Sequence, residues 1–388
     1  MRLLVLPLAS KLHPSGFYSD LLSKIRGLEG PVDVHDVVYP GGAASVDVGG
    51  YDAVAVIVLT GGTSRLGARL LTGYGGRVMI YSHPLHNSLP SALSMRLRLQ
   101  SCGVQALLLH SQSLDGLVSS LSEAVKVADV INRLREVRIG HVGEEVPEEA
   151  VRYAELFGGE VVHVKPEEVG EEEPSTALEG VRLEGIEEDA VKRCLAAYES
   201  LKRLAEERRL DVLAIDCFPF LESRGYTPCI PVSLLCAEGV IAVCEADYAM
   251  IPLMLLSQAL CGVTGWIANI YDAGEGWVKA AHCTIARNMA GSIRVMPHFE
   301  SGKPAAIRGE LPIGSYTLVS MSKDFSRITV REAKVATPLS SQTACRTQHL
   351  IAVRRLGPEN MVNNHHLVTP CRASAYRMFG YLKGIEVC

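Results

Sequence analysis

The segment DAVAVIVLTGGTSR (residues 52–65) joins an apolar run, a glycine pair and the start of a helical segment. The run at 53–59 lacks the polar alternation of a half-exposed strand. Continuous runs of this kind are typical of parallel strands that are covered on both faces by helices. Similar runs occur on either side of it: RLLVLPLA, VDVHDVVY, RVMIYS and VQALLLHS. The first third of the chain is therefore predicted to form a parallel sheet covered on both faces.

The rest of the chain shows two further patterns of apolar and polar residues. From about residue 137, VRIGHVG, EVVHVK and LDVLAID alternate with segments of helical period, which predicts a second parallel sheet. After about residue 291, short alternating runs separated by Gly, Pro and Ser predict an antiparallel sheet or small barrel. The predicted fold class is α/β, with two Rossmann-like parallel-sheet units followed by a C-terminal β-rich, barrel-like domain. The predicted domains are 1–136, 137–290 and 291–388.

Composition narrows the class of protein. With 48% hydrophobic and 21% charged residues the chain is predicted to be soluble and globular, and its net charge of −5 argues against nucleic acid or an anionic membrane as partner. No apolar run is long enough to predict a membrane span.

The glycines of LTGGTSR could let backbone N–H groups approach an anion or a sugar. That segment is neither a P-loop nor a complete dinucleotide fingerprint, which argues against nicotinamide chemistry.

The chain contains eleven cysteines and no C-x-x-C pair, so a zinc ribbon is not expected. Cys194, Cys244 and Cys261 lie in apolar runs and are predicted to be free thiols that behave as small hydrophobes. A reducing cytoplasm is the predicted location.

The segment CEADYAM (residues 244–250) places two carboxylates between apolar runs. A buried carboxylate is normally paired, protonated or metal-bound, because an isolated buried charge is costly. Asp247 could instead cap the helix that follows. Asp216 and Cys217, in AIDCFPF, also end a predicted strand, and ligand-binding residues gather at the carboxyl ends of parallel strands.

Further candidates follow in the middle of the chain and near its end. Residues 266–289 contain Asn269, Asp272 and His282, and the later segment NNHH ends in His365 and His366. Carboxylate, amide oxygen and imidazole together suit a divalent ion of the Mn²⁺ class. Each has a structural alternative, since adjacent histidines often form a surface turn and a lone histidine is often a hydrogen-bonded core residue.

In their order along the chain, CEADY, WIANIYD, AAHCT and NNHH…GIEV resemble the L-fucose isomerase and L-arabinose isomerase superfamily. The likeness is strongest over residues 211–289 and 363–387, and HNSLPSALSMRLRLQSCG resembles the substrate-facing helix of that family. The resemblance implies two Rossmann-like units with a β-rich third domain, and assembly as a homotrimer or homohexamer with active sites at domain and subunit junctions. It also implies Mn²⁺ and conversion of an aldose to a ketose through an ene-diol.

The resemblance assigns roles to individual residues. Glu245 matches the first family glutamate, as metal ligand and base. Asn269 stands where the family has a second acid. An amide oxygen can ligate a cation but cannot transfer a proton, so Asp272 or Asp247 could substitute for that acid. His282 matches a histidine of the arabinose branch, and either His365 or His366 matches the late histidine. The predicted substrate-binding residues are His83, His86, Asn87, Asp216, Cys217 and Asp247.

The leading hypothesis is a cytoplasmic, Mn²⁺-dependent ketol isomerase acting on a sugar or sugar derivative. The alternative is a non-catalytic sugar-binding or regulatory protein on an isomerase scaffold. A third possibility is a metal-assisted enzyme for a phosphorylated or sulfonated sugar, with Arg65, Arg96 and Arg287 as candidate anion-binding residues.

Overall fold

The structure is a computed structural model that describes residues 1–41, 46–170, 173–178 and 180–388. The chain divides into two compact units. The first comprises Met1–Asn132 and Tyr381–Gly384, and the second comprises Arg133–Gly380 and Ile385–Cys388. The predicted division into three domains stays a prediction.

The first unit contains a five-stranded parallel sheet of order β2-β1-β3-β4-β5. Every residue of β3, the apolar run from which the parallel sheet was predicted, is buried. The elements of this region are β1 (Leu3–Leu8), α1 (Ser19–Arg26), β2 (Val32–Val34), β3 (Ala53–Val58), α2 (Ser64–Leu71), β4 (Arg77–Ser82), α3 (Ser88–Ser101), β5 (Ala106–His110) and α4 (Leu114–Arg133).

The second unit begins with a four-stranded parallel sheet of order β10-β9-β6-β7. Its central strand β9 is apolar and buried along its whole length. The elements of this region are β6 (Arg138–Val142), α5 (Glu148–Phe157), β7 (Glu160–Val164), β8 (Arg182–Leu183), α6 (Glu188–Glu207), β9 (Val212–Ile215), α7 (Cys217–Arg224), α8 (Cys229–Ala237), β10 (Ile241–Cys244) and α9 (Ile251–Cys261).

The remainder of the second unit is an antiparallel barrel. Six strands, in the order β15-β18-β11-β12-β17-β16, close through a β15–β16 pair, and β19 adds in parallel to β16. The elements are β11 (Trp266–Gly274), β12 (Trp277–His282), β13 (Ile293–Met296), β14 (Ala306–Gly309), β15 (Gly314–Met321), β16 (Arg327–Pro338), β17 (Thr347–Val353), β18 (His365–Thr369), α10 (Ala373–Lys383) and β19 (Glu386–Val387). Strands β13 and β14 form a separate small sheet with β8.

The predicted fold class is confirmed, with two parallel-sheet α/β regions followed by a β-barrel. The barrel starts at β11, earlier in the chain than residue 291, where the predicted third domain begins. Among the described residues, no helix has both the length and the hydropathy needed to cross a bilayer.

The cysteine prediction is wrong at one position. Cys261 forms a disulfide with Cys371, 110 residues later, with Cα atoms 5.8 Å apart. An apolar neighbourhood alone does not distinguish a buried thiol from a half-cystine, because the partner lies far away in sequence. Cys194 and Cys244 are buried free thiols, as predicted.

Candidate metal centre

Glu245, His282 and His365 converge at one point of the second unit. Glu245 Oε1 lies 3.5 Å from His282 Nε2, and Glu245 Oε2 lies 3.5 Å from His365 Nε2. The three ligand atoms all lie within 4.8 Å of one another. Both histidine side chains are 2% exposed, whereas Glu245 is 34% exposed. The group is therefore buried on its imidazole side and accessible on its carboxylate side.

Strand pairing explains how such distant residues meet. In the barrel, β11 lies between β12 and β18, and Asn269 of β11 is paired with Ala281 on one side and His365 on the other. His282 follows Ala281 at the end of β12. The two imidazoles thus come from the strands that flank Asn269.

Glu245 reaches the same point from the parallel sheet. Strand β10 ends at Cys244, and the next two residues, Glu245 and Ala246, have positive φ angles of 56° and 44°. Consecutive left-handed residues that are not glycine are strained and persist only where surrounding contacts hold them. One such contact is the Glu245 N–H, which donates to Cys217 Sγ at 3.2 Å.

The second carboxylate of CEADYAM, Asp247, is buried and fully hydrogen-bonded. Its Oδ2 accepts hydrogen bonds from His365 Nδ1 at 2.7 Å and from Asn363 Nδ2 at 3.0 Å. Its Oδ1 accepts the Ala249 N–H, so it also caps the 3-10 turn Tyr248–Met250, as the structural alternative predicts. Burial of this carboxylate is compensated by three donors. Because a carboxylate can only accept, Nδ1 of His365 carries a proton and Nε2 is the nitrogen that faces Glu245.

The donor set fits a divalent cation. No described residue hydrogen-bonds Nε2 of His282 or of His365, although both atoms are buried. Buried polar atoms normally have partners, so these two indicate a missing one. One carboxylate oxygen and two imidazole nitrogens are ligands that cations of the manganese and zinc classes share. The three side chains could therefore hold such an ion.

The charges of the group are strongly coupled. Burial by itself would raise the pKa of Glu245, but His282 and His365 lower it well below its ordinary value. Burial lowers the pKa of His365, but Asp247 and Glu245 outweigh this effect and raise it to about 9. Two carboxylates therefore bracket His365, and a cation bound between Glu245 and the histidines would replace that proton.

Two of the three residues, Glu245 and His282, line a cavity of about 170 Å³. The lining is thiol-rich and contains neither lysine nor arginine: Cys217, Phe218, Leu221, Thr227, Cys229, Cys244, Glu245, Asn269, His282, Cys283, His298, Glu300 and Cys345. Within this wall the Sγ atoms of Cys217 and Cys244 lie 3.1 Å apart. A cavity with a cation site at one end and largely uncharged walls suits a small polar molecule without phosphate groups.

Several cavity residues carried no sequence signal. Thr227, Cys229, Cys283, Cys345, His298 and Glu300 were not predicted as site residues, and only the polar pair in MPHFES could have suggested the last two. His298 is buried, and its Nδ1 lies 3.4 Å from the Ser301 N–H, which donates to it. Because Nδ1 accepts the Ser301 N–H, Nε2 carries the proton of the neutral ring, and no described residue hydrogen-bonds it.

Two predicted residues lie outside the cavity. A bulge between Ile270 and Asp272 interrupts the pairing of β11, and Asp272 is exposed and pairs with Lys279 at 2.7 Å. Asp272 is thus not placed with the triad, and its predicted role in proton transfer stays a prediction. His366 follows His365 on β18, where successive side chains point to opposite faces, and its Nδ1 lies 3.3 Å from the carbonyl oxygen of Asn364. His365, and not His366, belongs to the triad.

The other predicted residues take varied positions. Asn269 lines the cavity, and its Oδ1 accepts a hydrogen bond from Asn364 Nδ2 at 3.0 Å. Cys217 lines the cavity as well. Asp216 is partly buried, and its pKa is raised by burial and by Glu245. Both oxygens of Asp247 accept hydrogen bonds, Oδ1 from the Ala249 N–H and Oδ2 from His365 and Asn363, and its predicted substrate-binding role stays a prediction.

His83, His86 and Asn87 belong to the first unit. His83 is buried, with Nε2 3.1 Å from the carbonyl oxygen of Leu59 and Nδ1 accepting the Leu85 N–H. The ring of His86 stacks on Phe17. Asn87 lines a different, hydroxyl-rich pocket with Gly61 and Gly62 of the predicted glycine turn. The substrate-binding role of these three residues stays a prediction.

A comparison with protein-family models gives no match for this chain, and a comparison with curated proteins gives none either.

Proposed function

We propose that the chain is a Mn²⁺-dependent aldose–ketose isomerase that acts on a small, uncharged sugar through an ene-diol. The observation that carries the proposal is the convergence of Glu245 with two buried imidazole nitrogens that have no hydrogen-bond partner among the described residues, beside a cavity that Glu245 and His282 line. The resemblance of CEADY, AAHCT and NNHH to the fucose and arabinose isomerases supports the same chemistry.

The reaction moves a proton between two adjacent carbon atoms and another between their oxygens. A bound divalent cation lowers the free energy of the negative charge that develops on the two sugar oxygens. Glu245 is the residue proposed to take and return the carbon-bound proton, because it is ionised and reaches the cavity from an exposed side. The sugar would lie in the cavity between Glu245 and the thiol-lined wall.

His298 is proposed to carry the second proton. Asn269 lines the cavity but has no ionisable group, and Asp272 lies outside it. Burial lowers the pKa of His298, more than the nearby Glu300 raises it, so the ring is neutral near pH 7. A neutral imidazole can give its Nε2 proton to one sugar oxygen and then, at the same nitrogen, take up the proton of the neighbouring hydroxyl, which restores the neutral ring.

Replacing His298 with glutamine is expected to leave Mn²⁺ affinity unchanged and to lower turnover by roughly 10²–10⁴-fold, the usual contribution of a general acid–base group. In the same variant, the pH dependence of kcat/KM should change shape on both its acid and its alkaline side. Cys345→Ser, which alters another cavity side chain, serves as the matched control. Wild-type turnover in His298→Gln would eliminate this role.

The cavity lining argues against a phosphorylated or sulfonated substrate at this site. Among the described residues that line it there is no cation, and Arg287 is not one of them. Arg65 and Arg96 belong to the first unit. The volume of about 170 Å³ is smaller than the usual range for drug-sized ligands, which favours a monosaccharide-sized molecule.

The proposal is tested by removing metal with chelator, restoring Mn²⁺, and following aldose–ketose interconversion over a panel of neutral sugars in deuterium oxide. We expect metal-dependent incorporation of deuterium at the carbon next to the carbonyl, even where the equilibrium hides the product. Saturable sugar binding without any exchange, at full metal occupancy, would instead identify the non-catalytic sugar-binding alternative.

A further inference from the structure

A second concave surface lies on the barrel, away from the residues of the metal centre. It has a volume of about 950 Å³ and shares no lining residue with the thiol-rich cavity. Its walls come from β15, β16, the end of β17 and the start of α10: Gly276, Ser315, Tyr316, Thr317, Arg331, Glu332, Ala333, Lys334, Ala352, Val353, Arg354, Pro370, Cys371, Arg372, Ala373, Ser374 and Arg377. We call this surface the basic groove.

The charge of the groove opposes that of the chain. Arg331, Lys334, Arg354, Arg372 and Arg377 line it, and the acidic side chains that line it are limited to Glu332. The whole chain has a net charge of −5. Like charges gathered on one surface repel one another, so such a concentration costs stability unless a ligand compensates it.

Most of these cations are also unpaired. The side chains of Lys334, Arg354, Arg372 and Arg377 make no hydrogen bond or ion pair with any residue that the structure describes. Arg331 bonds main-chain oxygens of Val330, Arg355 and Cys388. None of the five pairs with a carboxylate side chain among the described residues.

Some cations elsewhere in the chain do pair with acidic side chains. Ion pairs shorter than 4 Å involve lysines and arginines in both units, including Arg2, Lys24, Lys202, Lys279 and Arg294. The groove differs from an ordinary solvated surface, where opposite charges are interspersed, because its lining has five cations and one acid.

We propose that the basic groove binds a phosphate-bearing small molecule. Arginine presents a planar fork of donors that matches phosphate oxygens in pairs, and several such forks suit a ligand with more than one negative charge. The groove volume lies within the range of small-molecule sites. The apolar parts of its floor, including Val353 and Pro370, would contact the non-phosphate portion of the ligand.

The net charge of the chain argues against a nucleic acid polymer as the occupant. A long polyanion would be repelled by the acidic remainder of the surface, whereas a small molecule experiences mainly the local field of the groove. The proposed site is independent of the isomerase proposal, since the two involve different residues.

The test is calorimetric titration with inorganic pyrophosphate, and separately with ADP, at low ionic strength without divalent metal. We expect saturable binding to one site that weakens as salt is added. Tighter binding of ADP than of pyrophosphate would indicate that the floor contacts the nucleoside; equal binding would indicate recognition of the diphosphate alone. Both results support the proposal.

The decisive variant is Arg354→Gln combined with Arg372→Gln. Loss of two charge-assisted contacts should weaken pyrophosphate binding by about 100-fold, roughly tenfold for each arginine. Arg355→Gln is the matched control, because Arg355 is also exposed and adjacent in sequence but does not line the groove, and it should change affinity by less than about threefold. Circular dichroism and Mn²⁺ titration of each variant check the fold, and the single variant Arg372→Gln replaces the double one if that unfolds.

The proposal is overturned by three results. One is no saturable binding of either probe at millimolar concentration. Another is an equal loss of affinity in Arg355→Gln and in the double variant. The third is a wild-type oligomer, seen by light scattering, that dissociates in the double variant while neither probe binds; the groove would then be an interface between copies of the chain.

Discussion

Replacing Glu245 with glutamine is expected to abolish tight Mn²⁺ binding and isomerase turnover together. Its two oxygens are the atoms that face Nε2 of His282 and of His365, each at 3.5 Å. Glutamine keeps the shape of the side chain but removes the charge that balances a cation. Loss of one charged ligand should lower metal affinity by about 100-fold. Loss of the proposed base should lower turnover by a further factor on the order of 10²–10⁴.

Glu300→Gln separates these effects from a general change in the charge of the cavity. Glu300 lines the same cavity, but it is exposed and does not belong to the triad. Metal affinity measured by calorimetry, and by the electron paramagnetic resonance of free Mn²⁺, should be nearly unchanged in this control. Equal affinity in the wild type and in Glu245→Gln would show that Glu245 is not a ligand, and the isomerase proposal would lose its central observation.

The architecture could be predicted from the sequence because burial leaves a local trace. A parallel strand that is covered on both faces, such as Ala53–Val58, must be apolar along its whole length, and that is visible as a run. The barrel strands alternate because one face lies inside. The predicted start of the β-rich part is late, because β11 and β12 combine an apolar half with polar ends and resemble the strands before them.

The choice between His365 and His366 could not be made from the sequence. Adjacent residues of a strand point to opposite faces, and the face is set by the pairing of β18 with β11. That pairing joins residues almost a hundred positions apart. The direction of the Asp272 side chain could not be predicted for the same reason. A bulge in β11 changes the face of the strand on which Asp272 lies, and no local sequence pattern reveals that bulge.

The unpredicted cavity residues had no sequence signal for a different reason. Cys229, Cys283 and Cys345 are small side chains in segments without a motif, and only the packing of the start of α8 against residues beside β12 and β17 places them together. A thiol among apolar neighbours has the same sequence signature whether it lines a cavity or packs in a core. His298 likewise lies in a loop, where periodicity gives no information about direction.

Replacing Asp247 with asparagine is expected to lower both stability and metal affinity. The three donors that Asp247 now accepts are Ala249 N–H, His365 Nδ1–H and Asn363 Nδ2. Asparagine can keep its oxygen towards Ala249, but it then presents an amide N–H₂ to His365 and Asn363. His365 can accept that hydrogen only by moving its own proton from Nδ1 to Nε2, the atom that faces Glu245. Protonated Nε2 cannot ligate a cation, so metal affinity should fall by about 10–100-fold.

The loss of stability has a pH dependence of known sign. Asp247 and His365 are each 2% exposed, and breaking a buried charged pair costs about 3–5 kcal/mol. Because the pKa of His365 is raised to about 9, the stabilisation that comes from its protonation is complete below the unfolded value near 6.5 and is lost as the pH rises through 9. Urea unfolding of the metal-free protein should therefore show a larger penalty for Asp247→Asn at pH 6 than at pH 10.

Asp272→Asn is the matched control for this prediction, since it makes the same chemical change in an exposed pair with Lys279. It should alter stability by less than about 1 kcal/mol and leave Mn²⁺ binding unchanged. If Asp247→Asn bound Mn²⁺ as tightly as the wild type while only its stability fell, then His365 would not depend on Asp247 for its tautomer. The carboxylate would then be a structural cap alone, and the metal centre would rest on Glu245 and His282 without a fixed second imidazole.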